Sequence, residues 1–87
     1  RVAFFMSWVY VLYSRPFNKI YIGYTSDLNA RFISHNELAT KGWTIKFRPW
    51  TLVYSEQFST KAEAMKREKE LKSARGRVFI HQNILKQ

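Results

Sequence analysis

Tyr21, Arg31, His35 and Glu68 are side chains whose types and spacing suit chemistry. A phenol and an imidazole can move protons, a guanidinium holds an anion in a planar fork, and a carboxylate accepts a cation. Arg31 and His35 stand four residues apart, one helical turn, so a helix would carry both on one face. Tyr21 lies just ahead of that helix, at the end of an apolar, aromatic run. Glu68 belongs to a second helix. At about 100° per residue, Ala64, Glu68 and Leu71 share a narrow arc, which puts the carboxylate within the apolar stripe. A carboxylate there needs a cationic partner against desolvation. Geometry alone leaves two partners open, a buried pair with Arg31 or a metal ion.

The elements that must position these groups can be read in order. Trp8 to Tyr13 is rich in β-branched and aromatic residues, Ser14 to Asn18 supplies a turn around Pro16 and Asn18, and Lys19 to Tyr24 returns as the second strand. A register with Tyr10 facing Tyr21 puts both phenols on one side of the hairpin. Gly23 either permits a bend or leaves room for a ligand, with the bend ahead. Thr25, Ser26 and Asp27 offer helix caps, and Leu28 with Phe32 begins a helical stripe. Asn36 to Arg48 reads as a long loop with one turn of helix at most, and Trp43 within it covers the core's edge or stacks on a base, the first favoured. Trp50 to Phe58 is a third strand whose Leu52 and Tyr54 share a face opposite Thr51, Val53 and Ser55. Thr60 and Glu63 form a capping box for a helix ending near Ser73. A break at Gly76 precedes a last helix in which Val78, Phe79, Ile80, Ile84 and Leu85 close the core, with His81 at the surface.

Composition narrows the classes. The 87 residues suit one domain, 1–87, and 46% hydrophobic with 17% aromatic residues argue for a folded globule. Fifteen Lys and Arg against six Asp and Glu leave a net charge of +9, which points to a polyanion. No stretch approaches the roughly 20 apolar residues of a membrane span, so nucleic acid is preferred to a membrane surface. Cysteine is absent, which excludes disulfides and thiolate sites and suits a reducing, cytoplasmic setting. Two histidines are too few for a zinc cage. Met6 reads as a natural start, with Arg1 to Phe5 an extension ahead of it and no targeting signal remaining. Lys61, Lys66, Arg67, Lys69, Lys72, Arg75 and Arg77 crowd the second helix and the break at Gly76. With the overall charge they read as a phosphate-binding surface, carried chiefly by Lys66, Arg67, Lys69, Lys72 and Arg75.

Trp8-Val9-Tyr10 followed by Tyr21-Ile22-Gly23, then Arg31 and His35, resembles the GIY-YIG endonuclease family. Pro49 to Tyr54 and Glu63 to Lys69 are similar to its small free-standing members, which are related to the UvrC nuclease domain. The resemblance covers most of the chain. It departs at Trp8, where the family name has glycine, and in the tail after Gly76. It implies an α+β fold, a three-stranded antiparallel sheet flanked by helices, with Tyr10, Tyr21, Arg31, His35 and Glu68 as catalytic residues. It also implies one divalent ion on Glu68, and this carry-over tips the Glu68 alternatives toward the metal. Asn83 is the only tail candidate for an asparagine that some relatives use, and it is not counted in the site.

The combined expectation is an endonuclease that hydrolyses DNA, duplex or branched, with one Mg2+ or Mn2+, in repair or recombination. The ion, bound by Glu68 alone, would complete its shell with water and phosphate oxygens. Arg31 would neutralise charge on the transferred phosphate. Tyr21 would be the base for the attacking water, though a free phenol has a pKa of ~10, and Tyr10 would orient water or phosphate. Against these stand plain alternatives, hydrogen-bonded core aromatics for the tyrosines and a half-buried polar residue for His35. The rival function is a nucleic-acid-binding module that keeps the fold without turnover. One small unit would need a protein partner or a second copy to cut two strands.

Overall fold

The computed structural model describes residues 6–87, so the extension expected ahead of Met6 lies outside the described residues. Strands β1 (Ser7–Ser14), β2 (Lys19–Thr25) and β3 (Thr51–Phe58) form one antiparallel sheet in the order β2-β1-β3. The most apolar strand is therefore central, and seven of its eight residues are buried. Helix α1 (Leu28–Ile33) runs into a wide π-type turn at Ser34–Leu38, and a short 3-10 turn at Trp43–Phe47 leads to β3. Helices α2 (Lys61–Lys72) and α3 (Ala74–Phe79) come next, with a second π-type turn at Ile80–Ile84.

Pairing in the hairpin is offset by two residues from a Tyr10–Tyr21 register. Tyr10 faces Gly23, and Tyr21 faces Leu12. Directly paired residues share a face, so both phenols still lie on one side of the sheet, as diagonal neighbours with ring centroids 6.1 Å apart. The same pairing explains Gly23. A Cβ there would stand 2.6 Å from the Tyr10 hydroxyl, so the missing side chain makes room for the tyrosine ring rather than for a bend. A bulge at Val53 sets Val11 against Tyr54 but Leu12 against Leu52. Leu52 and Tyr54 therefore point to opposite faces, contrary to strict alternation, because one extra residue shifts the pleat.

The two faces bury different layers. Val9, Val11 and Ile22 pack with Ala64 and Leu71 of α2 and with Ile80. Tyr10 and Leu12 pack with Trp50, Tyr21, Leu28, Phe32 and Phe47 on the other side. Burying each large aliphatic residue contributes about 1.5–3 kcal/mol, so the α2 layer holds the fold largely without polar partners. Thr60 caps α2, its hydroxyl accepting from Glu63 N–H at 3.2 Å. The chain breaks at Ser73 rather than at Gly76. Ser73 Oγ donates to the Glu70 carbonyl at 2.6 Å and accepts from Gly76 N–H at 3.1 Å, which ends one helix and starts the next. Gly76 lies inside α3, where a Cβ would collide with the Glu70 and Leu71 backbone, so glycine lets α3 fold back against α2. Among the described residues, no helix is long and apolar enough to cross a membrane.

Candidate active site

Of the three possible caps for α1, Asp27 is the one used, its side chain accepting from Ala30 N–H at 3.1 Å. That start sets the phase of the helix and turns Arg31 and His35 toward the tyrosine face. The π-type turn then swings His35 inward until it is buried, at 5% exposure. Its ring centroid lies 4.7 Å from that of Tyr21 and 5.9 Å from that of Tyr10. Tyr21, Arg31 and His35 line one cavity of about 270 Å³, together with Lys41, Trp43 and Thr44.

Behind this cavity runs a buried polar chain. The Tyr10 hydroxyl and His35 Nε2 are 2.9 Å apart, and His35 Nδ1 and Thr44 Oγ1 are 3.0 Å apart. Burial lowers the His35 pKa, and the charges of Arg31 and Arg48 lower it further, so the ring is neutral. Burial likewise pushes the Tyr10 phenol up to about 12, with the Arg31 guanidinium opposing. Arg31 itself is raised, first by its hydrogen-bonding approach to the Tyr10 oxygen and against the effect of burial. A neutral ring donates from one nitrogen and accepts at the other, so the Tyr10 and Thr44 hydroxyls take opposite proton roles toward it. Tyr10 is thus a neutral, 1% exposed anchor behind the cavity, whereas half-buried Tyr21 opens into it.

The loop from Asn36 to Arg48 braces this arrangement through contacts that sequence reading missed. Arg48 donates to the carbonyls of His35 at 2.7 Å, Ser34 at 3.2 Å and Ala39 at 2.8 Å, closing the turn that carries the histidine. Asn36 exchanges two hydrogen bonds with the Trp50 backbone, and Trp50 Nε1 donates to the Thr44 carbonyl at 2.7 Å. The only local signal was the density of hydrogen-bonding residues around His35 and before Trp50, without any periodicity to pair them.

Glu68 comes from the other layer. Arg67 and Glu68 flank the buried Ala64–Leu71 stripe on opposite sides, and Arg67 reaches Glu56 on β3, so Glu68 leans toward the margin of edge strand β2. Its side chain is 19% exposed and its carboxylate pairs with Lys72 Nζ at 3.2 Å. The structural alternative for Glu68, a pair with Arg31, does not form, because α1 and α2 cover opposite faces of the sheet, and Glu68 does not line the cavity of Tyr21, Arg31 and His35.

A family model described as the GIY-YIG catalytic domain matches residues 6–82. The chain belongs to the GIY-YIG family. A UPF0213 protein of Staphylococcus haemolyticus is 42% identical over 66 residues, covering 76% of this chain and 79% of the relative. A second, from Staphylococcus epidermidis, is 48% identical over 54 residues, covering 62% and 66%. The solution NMR structure of a UPF0213 protein from Bacillus halodurans superposes with a TM-score of 0.52 at 31% identity, over 86% of this chain and 81% of that one. These relatives are small members of a nuclease family, and the α+β fold with its three-stranded antiparallel sheet matches the solved one.

Within this GIY-YIG chain the five basic residues expected to meet phosphate divide in two. Arg67 is held by Glu56 and Glu70 at 3.1 and 3.2 Å, and Lys72 by Glu68. Lys66, Lys69 and Arg75 make no ion pair among the described residues and border a cavity of about 840 Å³ floored by Leu71 and Phe79. His81 is half-buried and meets Gln87, and Asn83 is exposed. Among the described residues no three His, Cys, Asp or Glu side chains gather as metal ligands. A cage made by protein alone is therefore not built. A single carboxylate, partly exposed at the sheet margin, does fit a hard divalent ion that takes its remaining oxygens from water and phosphate.

Proposed function

We propose that this chain is a divalent-metal-dependent DNA endonuclease whose chemistry is carried by Tyr21, Arg31 and Glu68. The observation that supports it best is the cavity in which an accessible phenol, an exposed guanidinium and a buried imidazole converge with one further cation, Lys41, and no carboxylate. Such a cavity suits a phosphodiester. Arg31 binds its non-bridging oxygens and neutralises the charge that grows as water attacks phosphorus. Tyr21, acting in its phenolate form, accepts the water's proton while the new P–O bond forms and the bond to the leaving alkoxide breaks, and the alkoxide takes a proton from solvent water. Tyr10 does not reach substrate in this reading. It holds His35 and Arg31 in place, and His35, neutral and fixed at both nitrogens, keeps the Tyr21 ring against the cavity wall. Glu68 stands outside this cavity, at the β2 margin of the other layer; it would hold one Mg2+ or Mn2+ there, whose chemistry when bound is Lewis-acid polarisation of a phosphate lying at the sheet edge.

The net charge of +9 supports a strand backbone as the ligand, with Lys66, Lys69 and Arg75 as the cations free to meet it. A role in repair or recombination, with branched or damaged DNA as substrate, extends the same reading. One observation favours binding without turnover instead: Lys72 already occupies the Glu68 carboxylate. The test is incubation of the protein and its Glu68→Gln variant with supercoiled, single-stranded and branched DNA over a series of Mg2+ and Mn2+ concentrations. Wild type should cut in the presence of metal, and Glu68→Gln should fold, bind DNA and fail to cut. Full metal-dependent cleavage by Glu68→Gln would remove Glu68 from the mechanism, and no cleavage by wild type on any DNA would leave the binding module.

A further inference from the structure

Trp43 is 46% exposed, although Trp50, its neighbour at 5.9 Å between ring centroids, already seals this edge of the core at 3%. Cover alone does not account for it. The indole stacks on Tyr21 at 6.4 Å with planes 29° apart, and it forms a wall of two cavities. One is the cavity of Tyr21 and Arg31. The other, about 330 Å³, shares the indole with Asn18, Lys19, Ile20, Arg77 and His81 as its lining and does not include Tyr21 or Arg31. Lys19 and Arg77 are exposed and make no ion pair among the described residues. Lys19 Nζ stands 5.7 Å from the Phe47 ring, which itself packs 4.6 Å from Trp43. The second cavity therefore offers an aromatic face with two cations beside it, at the low end of the ~300–1,000 Å³ typical of small-ligand sites.

We propose that this second cavity takes the nucleotide next to the scissile phosphate, with its unpaired base stacked on Trp43 and its phosphate met by Lys19 and Arg77. The inference rests on the endonuclease reading and names its substrate: a DNA strand with at least one unpaired nucleotide at the cut. Tyr21, Phe47 and Trp50 already pack on the indole, so a base can meet only the part of it left exposed to the second cavity. A base within a duplex has no free face to give it, whereas a single strand or a bulge does. The cations supply charge without sequence readout, so selection here is for an unpaired base of any kind.

The experiment titrates the protein with DNA of one sequence as single strand, perfect duplex and duplex with a one-nucleotide bulge. Binding is read without divalent metal, and cleavage with Mn2+. Wild type should bind the single strand and the bulge more tightly than the duplex, with tryptophan quenching that Trp43→Phe abolishes. Trp43→Ala should lose about ten-fold or more in single-strand affinity while duplex affinity holds. Because Trp43→Ala removes packing from Trp50 as well, the exposed pair Lys19→Gln with Arg77→Gln gives a second reading: it should weaken single-strand binding and lessen its salt dependence. Equal affinity for the three DNAs, or single-strand binding untouched by both variants, would overturn the proposal. Preference for single-stranded RNA over DNA would overturn the choice of DNA. Selective binding without any cleavage would sink the endonuclease reading and keep the stacking site, whereas equally fast cutting of perfect duplex would do the reverse.

Discussion

The two faces of the sheet are held by different physics. On the α2 face, Val9, Val11, Ile22, Ala64, Leu71 and Ile80 form an aliphatic layer, and its ion pairs lie at the rim. On the α1 face, the layer built on Tyr10, Leu12 and Trp50 contains a buried histidine and a buried threonine joined to a buried phenol. Aliphatic packing is non-directional and tolerates small adjustments. A buried polar chain is strong only while every member keeps its partner. The aliphatic face thus anchors the fold and carries only Glu68 of the candidate site, whereas Tyr21, Arg31 and His35 sit on the face where geometry is most tightly specified.

Substituting across this division should separate activity from stability. Tyr21→Phe removes only the hydroxyl at the cavity, so cleavage should fall about 10²–10⁴-fold. Thermal unfolding should barely change, and a large drop in melting temperature would show Tyr21 to be a core residue instead. Leu71→Ala, at 1% exposure, should do the opposite: about 2–5 kcal/mol of stability lost by denaturant titration, with cleavage per folded molecule retained.

Gly23→Ala tests the seam between the faces. The new methyl would meet the Tyr10 hydroxyl, so the phenol must move off His35, at a cost of about 1–3 kcal/mol and with cleavage reduced beyond that loss. Unchanged stability and activity would mean that the Tyr10 ring is free to shift. The pH dependence sharpens the same point. His35 has a folded pKa below its unfolded value, so the stability it contributes is complete above about pH 6.5 and lost as pH falls below it. Tyr10 has a folded pKa of about 12, above its unfolded value, so its contribution is complete below about pH 10 and lost as pH rises toward 12. Melting temperature should decline at both ends, and His35→Gln should flatten the acid limb only.

The smallest effect is expected at the rim of the aliphatic face. Lys72→Ala removes a surface partner of Glu68, worth about 0–1 kcal/mol, so stability should hold. If the ammonium competes for the carboxylate, the Mn2+ concentration for half-maximal cleavage should fall several-fold. An unchanged metal requirement would take Lys72 out of that competition.

Local sequence was enough for the three strands, the Thr60 cap, the end of α2 at Ser73 and the turning of Arg31 and His35 to one face, because strand and helix periods and capping chemistry act over a few residues. The excess of basic residues and the apolar stripe around Glu68 were legible for the same reason. Tertiary packing decided the rest. Tyr10 meets Gly23 instead of Tyr21 because the hairpin register depends on how both faces bury, and the bulge at Val53 arose from pairing rather than propensity. Glu68 met Lys72, four residues away, and not Arg31, since a sheet separates the helices that bear them. Thr44, Arg48 and Asn36 brace His35 and Trp50 across 9 to 14 residues of irregular chain. No local period links such partners; only the folded path of the backbone brings their donors and acceptors within reach.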